Sequence, residues 1–273
     1  APGEATAYCF AATTGDGDQK DLYRSTDGGV TWTATSTNST TTPATTNGDQ
    51  PNNDYMNGQA FYNHMVLGLA ISGVVAFGIS LLGIGSPIVQ TLYASPVKYV
   101  VMLAPLAFVL FLSFRFENMS YGTLLGAFWA FAATMGLSLG SIFFVFKLGS
   151  IANAFFATAA AFGAMSLWGY TTKRNLTGMG TFLVMGLFGV VIVGLLNALF
   201  FKATGLQLAL NVLVVLISAG LTAWDTQRLK EQYDYVVGDA VMMGKASVMG
   251  ALNLYLNFIN MFTSLLSIFG QRE

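Results

Sequence analysis

Seven apolar stretches of membrane-spanning length leave this chain few ways to fold. They run at approximately 59–83, 97–114, 120–146, 150–171, 178–201, 206–226 and 246–269. A helix needs about 20 mainly apolar residues to cross the hydrocarbon of a bilayer. The spacing therefore predicts an all-α membrane protein with seven transmembrane helices in contact with lipid. Short connectors with Gly, Ser, Pro or charge separate the runs: Gly85-Ser86-Pro87, Ser95-Pro96, Arg115 to Asn118, Lys147 to Ser150, Lys173-Arg174, Lys202 to Gly205, and Arg228 to Lys245. The third run has a further candidate break near Gly136. Small residues at Gly136 and Gly140, Ala157 and Ala161, and Gly186 and Gly189 have the spacing that lets helix backbones approach in lipid. Only 9% of the residues are charged, against roughly 25% in soluble domains.

The charge is divided along the chain. Residues 1–58 carry two bases and seven acids, and the remainder carries ten bases and six acids. Neither region is basic enough to predict nucleic-acid binding. Lys and Arg near helix ends set orientation. Arg115, Lys173, Arg174, Arg228, Lys230 and Lys245 fall on the side of the N-terminus, and Lys98, Lys147, Lys202 and Arg272 on the other. The larger count predicts a cytoplasmic N-terminus.

Residues 1–58 form a separate, mostly irregular polar tail, and residues 59–273 the transmembrane domain. Residues 33–53 are rich in Thr, Ser, Asn and Pro, as in a linker. Tyr8 to Ala12 and Val30 to Thr35 read as two short strands. Within this stretch, Ser25-Thr26-Asp27-Gly28-Gly29-Val30-Thr31-Trp32 resembles the Asp-box turn of sialidase-like β-propellers. It occurs once, whereas a propeller needs several blades, so no glycosidase activity follows. Asn38-Ser39-Thr40 is a formal glycosylation sequon. The tail has a second reading, as an extracellular binding module, which conflicts with the orientation given by the charge count.

Enzymatic chemistry finds little support. Cys9 is the only cysteine and His64 the only histidine, so no zinc-ligand spacing exists. His64 lies in the first apolar run with no motif around it and reads as a buried or interfacial helix residue.

Between Tyr55 and Lys230 the only carboxylates are Glu117 and Asp225. Asp225 closes the sixth apolar run, and a carboxylate at the edge of lipid is a functional-site candidate. At 100° per residue, Asn211, Ser218, Thr222 and Asp225 fall within about 60° of one another. Asn253, Asn257, Asn260, Ser264 and Ser267 likewise share a face of the seventh run. Such stripes should face each other or a water-filled cavity, because lipid offers no hydrogen bonds. They can be polar glue between helices, or a polar pathway or ion site. Asp225 favours the pathway; its structural alternative is an end-cap pairing with Arg228 one turn later. Arg115 has two similar readings, as a residue reaching the interface or as a counter-charge to Asp225.

The strings Ala223-Trp224-Asp225-Thr226-Gln227-Arg228-Leu229-Lys230 and Ala251 to Phe262, with Leu265 to Gly270, resemble the last two helices of the Bax inhibitor family in its bacterial branch. Met102 to Phe108 and Asn175 to Gly180 fit the same family. The resemblance spans about residues 59–270. It implies a seven-helix fold with the polar seventh helix central, an inner-membrane location, and a pH-sensitive calcium leak. In that family two aspartates on the last two helices share a proton and latch the pore, since adjoining carboxylates cannot both ionise cheaply. Asp225 matches the first; the second position is Asn257, a departure that leaves one titratable group.

The resulting expectation is a calcium leak channel gated around Asp225, with Asn257 as its hydrogen-bond partner. Arg115, Asn253, Asn260, Thr222 and Ser218 complete the candidate gate and ion pathway. No resident cofactor is expected. Calcium would be the transported ion, with Asp225 as its one carboxylate ligand, where calcium prefers six to eight oxygens. The alternative is a non-conducting membrane subunit that binds a membrane protease or a larger complex.

Overall fold

The computed structural model describes residues 7–10, 22–25, 33–34, 60–236 and 240–272. The chain divides into two units, Ala1–Ala60 and Phe61–Glu273. In the first, β1 (Ala7–Phe10), β2 (Leu22–Ser25) and β3 (Thr33–Ala34) form an antiparallel sheet in that order. Tyr8 pairs with Arg24, and Arg24 with Thr33. Strands at the first and last of these places were expected from sequence; β2, which lies between them and pairs with both, was not. Four residues are too few for alternation to be read, yet a third strand is what a marginal hairpin needs. The Asp-box-like string is flanked by the paired β2 and β3, but its residues 26–32, like the sequon at 38–40, lie outside the described residues.

The second unit is helical. Its elements are α1 (Ala60–Leu81), the short α2 (Pro87–Tyr93), α3 (Val97–Arg115), α4 (Tyr121–Leu139), α5 (Leu148–Thr171), α6 (Thr177–Leu196), α7 (Thr204–Val236) and α8 (Ala240–Phe269). Seven helices among the described residues are long and apolar enough to span a membrane, all but α2. The protein is an integral membrane protein, and its exposed surface carries the large apolar side chains that lipid requires, among them Val74, Phe114, Phe182 and Phe200. The sixth and seventh apolar runs correspond to α7 and α8.

α8 is the central helix: 56% of its apolar window is buried, against 33% or less in the other six. It packs against α4, α5 and α7. Tyr255, fully buried, is met edge-on by Phe128 and Phe131 of α4 at ring separations of 6.2 and 5.3 Å. Phe155 and Phe162 of α5 meet Phe258 in the same manner. The Tyr255 hydroxyl reaches Ser72 of α1 at 2.6 Å, and Ser72 Oγ donates to the Ala132 carbonyl of α4. One buried polar cluster thus joins three helices where lipid offers no alternative partner.

The fold corrects several boundaries. The third run does not break at Gly136: α4 continues to Leu139 and tightens into a 3₁₀ turn over Gly140–Phe144. Gly136 is instead a contact point, where an added Cβ would lie 2.6 Å from the Ser72 carbonyl oxygen of α1. Of the other small pairs, Gly186 faces Ile217 of α7, where an added Cβ would lie at 3.5 Å, whereas Gly189 has open space around it and Ala157 is exposed. The span from Gly85 to Pro96 is more than a connector. Pro87, whose φ is preset for a first helical turn, opens α2, and the Tyr93 hydroxyl donates to the Leu137 carbonyl. Arg228 and Lys245 lie within α7 and α8, which overrun their apolar stretches at this end, α7 to Val236 and α8 from Ala240. At the opposite end, Lys147 N–H donates to the Gln271 carbonyl and Gln271 N–H to Ser150 Oγ, tying the C-terminus to the start of α5.

Candidate functional site

Five consecutive residues of α7 each meet a different neighbour. The backbone of Ala223 lies against Gly169 of α5, so closely that any side chain there would collide with it. Trp224 lays its ring on Gly180 of α6, which is equally intolerant of a Cβ. Thr226 Oγ1 donates to Ser166 Oγ of α5 at 3.3 Å. Gln227 accepts the Leu176 N–H at 2.8 Å and donates to the Arg174 carbonyl at 2.8 Å, satisfying the backbone of the α5–α6 connector. The remaining member, Asp225, points to α8. Its neighbours along the chain fix α7 in rotation and height, so the carboxylate is placed by packing on both sides of it.

Asp225 is 5% exposed and Asn257 5% exposed. Asn257 Nδ2 donates to Asp225 Oδ2 at 2.7 Å. The helical phase of the two stripes therefore brings them together at this level. A hydrogen bond to a charged group contributes about 1.5–3 kcal/mol, comparable with the roughly 2.5–3.5 kcal/mol that a charged side chain costs at a helix centre in a membrane. Arg228, one turn on, lends its positive charge to the same carboxylate. Among the described residues the two form no direct ion pair; the Arg228 guanidinium instead lies over the Trp224 ring, 5.0 Å from its centre. The end-cap alternative, with Asp225 in the headgroup region paired to Arg228, does not describe this buried arrangement.

Other predicted site residues lie at varied distances from this bond. Thr222 is fully buried and returns its hydroxyl to the Ser218 carbonyl, while the buried Ser218 Oγ has no hydrogen-bond partner among the described residues. Asn260 is half-buried on α8. Asn253 lines a cavity of about 790 Å³ together with Ser113, Phe116, Arg228, Gln232 and Lys245. Arg115 does not join the group: it is exposed at the end of α3 and, among the described residues, makes no ion pair with Asp225. Its exposed place in the last turn of α3 matches the alternative reading, a residue reaching the interface. For metal binding, no group of three His, Cys, Asp or Glu occurs among the described residues. His64 is half-buried in α1 with its Nε2 3.4 Å from the Tyr121 hydroxyl.

One residue at the site carries no signal in hydropathy or helical phase: Gln227 bonds to backbone atoms of a connector. Arg228 is placed near Asp225 by its position one turn later, but not over the Trp224 ring. Their presence in one string with Asp225 was the available clue.

The arrangement defines a class: a seven-helix membrane protein whose last two helices are joined by a buried carboxylate. The family described as "Inhibitor of apoptosis-promoting Bax1" matches residues 53–273. The inner membrane protein YbhL of Escherichia coli is 40% identical over 214 residues, covering 78% of this chain and 90% of its own length. An uncharacterized protein of Caulobacter vibrioides is 42% identical over 219 residues, covering 77% and 86%. The protein RP147 of Rickettsia prowazekii is 39% identical over 212 residues, covering 78% and 88%. The chain belongs to the Bax inhibitor family.

Proposed function

We propose that this chain is a cation leak channel of a bacterial inner membrane, conducting calcium, with the Asp225–Asn257 hydrogen bond holding its pathway closed. The observation that carries the reading is that one buried carboxylate, the only acid of α7 before Glu231 and opposite a helix α8 that has none, is bonded across to the central helix. Glue alone needs no charge, since amides and hydroxyls join membrane helices at about 0.6 kcal/mol per contact. The inner-membrane assignment follows the relative YbhL, an inner membrane protein, and the cytoplasmic N-terminus follows the Lys and Arg count.

The pathway would run from the cavity at Asn253 past Asp225 and Asn257 toward Ser218, Thr222 and Asn260. With one carboxylate in place of a pair, the latch depends on hydrogen bonding more than on a shared proton. Purified protein in proteoliposomes is expected to admit calcium faster than protein-free vesicles. Equal rates would remove the channel reading and favour the second one, a non-conducting membrane subunit. That reading rests on the amide at position 257, and stable co-purification with a membrane protease or larger complex would support it.

A further inference from the structure

The central helix α8 is not sealed from the bilayer on every side. Between α1 and α5 a cleft of about 320 Å³ runs in to Phe258, Ile259 and Phe262, three residues otherwise buried in α8. Its walls are Gly73, Ala76 and Phe77 of α1 and Ile151, Ala152 and Phe155 of α5. A second cavity, of about 400 Å³, shares Phe77, Phe143 and Leu148 with the first. It carries the cleft on to Ser80, Gly83 and Ile84 at the end of α1.

The chemistry of the lining selects the guest. Ser72 is the only residue lining the inner cavity that has a polar side chain. Its hydroxyl is already engaged with the Gly68 and Ala132 carbonyls and the Tyr255 hydroxyl. Water occupies a cavity where it finds roughly two to four polar partners, and this one offers a guest none, so hydrocarbon suits it. The rim is continuous with the lipid-facing surface of the protein: Leu148 and Phe156 line the cleft and are 61% and 70% exposed. Depth agrees as well. From Ser80 to Leu69, which lines the inner cavity, α1 rises about 16 Å at 1.5 Å per residue. One leaflet contributes about 15 Å of hydrocarbon, so a chain held by its headgroup at the membrane boundary reaches the inner end.

We propose that this cleft binds one acyl chain of a bilayer phospholipid. The chain enters between α1 and α5 from the leaflet nearest Gly83 and packs on Phe258, Ile259 and Phe262. Side chains that line a void forfeit dispersion contacts, and the acyl chain restores them. Phe258 directly follows Asn257, so the chain bears on the turn of α8 that holds Asp225. That consequence rests on the leak-channel reading; the binding site does not.

The test places the full chain in phosphatidylcholine nanodiscs doped with a phosphatidylcholine that carries a diazirine near the methyl end of one chain. After illumination, peptide mass spectrometry locates the labelled residues. Phe258 is 3% exposed and Phe262 6%, so label on this segment of α8 reports a chain inside the cleft. Label on the exposed Phe182 of α6 reports bulk lipid. Relative to Phe182, label on α8 is expected to fall roughly tenfold in Gly73→Leu, about 1.4 kcal/mol of binding. A Cβ added at Gly73 meets nothing within 4 Å, so the new side chain occupies the cleft without displacing a neighbour. Gly78→Leu, equally open but outside the cleft, is expected to label as wild type. Ala152→Leu, on the opposite wall, repeats the test should Gly73→Leu fail to fold. Wild-type label confined to exposed faces overturns the site, as does undiminished label on α8 in a folded cleft-filling variant. Unlabelled α8 in protein that elutes as a dimer assigns the cleft to a second copy, which overturns the lipid site too. Calcium influx into proteoliposomes is read separately: label on α8 without influx keeps the site and overturns only the leak-channel reading.

Discussion

At Asp225 a carboxylate loses nearly all contact with water and receives one amide N–H in exchange. Replacing Asn257 by Ala removes that donor and leaves the acid buried without it, at a cost of about 1–3 kcal/mol. A lower unfolding midpoint in detergent is the expected outcome, and an unchanged midpoint would show that the bond contributes nothing to the folded state. Asn257→Asp builds two facing carboxylates, which share a proton because both cannot ionise cheaply. Calcium flux through that variant is expected to acquire a pH-dependent step that the wild type lacks. Phase alone placed Asp225, Thr222 and Ser218 on one face, because side-chain direction in a helix follows from residue number. Gln227 was not legible in that way: its partners are Leu176 N–H and the Arg174 carbonyl, and a connector backbone leaves no pattern in the sequence.

Among the helices, the tightest approaches are made at single glycines. Gly180 lies beneath the Trp224 ring of α7, and Gly169 beneath the Ala223 backbone. Leu at position 180 cannot be accommodated without displacing an indole that packs on the backbone, and overpacking of this kind costs about 1–3 kcal/mol or more. Gly180→Leu is expected to lower the unfolding midpoint and to disturb Asp225 through its neighbour Trp224. Gly189→Leu, on open space in the same helix, serves as the comparison and is expected to leave the midpoint near wild type. Seven spans were readable because hydropathy reports the thickness of lipid. It does not report where a helix stops. Arg228 and Lys245 therefore read as connector residues although α7 and α8 continue through them. The small-residue spacing named Gly136 but could not say that it joins α4 to α1, since a glycine pattern records closeness without naming the neighbour.

Over the whole molecule, orientation decides which compartment the cavity at Arg228 faces. Cys9 is the only cysteine, so an impermeant maleimide reports the side of the N-terminus without any substitution. With a cytoplasmic N-terminus, Cys9 is expected to resist labelling in intact spheroplasts and to react after permeabilisation; labelling of intact spheroplasts would reverse the topology. On the proposed reading, the central position of α8 is what would let a bond at its midpoint control the assembly. α8 touches α4, α5 and α7, so releasing it from α7 loosens the helix on which the others pack. The measurement closest to that claim is calcium influx into proteoliposomes at neutral pH, wild type against Asp225→Asn. Removing the charge weakens the charge-assisted bond by about half, so faster influx through Asp225→Asn is the expected result. Influx equal to wild type, with both proteins folded and equally incorporated, would contradict a pathway held closed at Asp225.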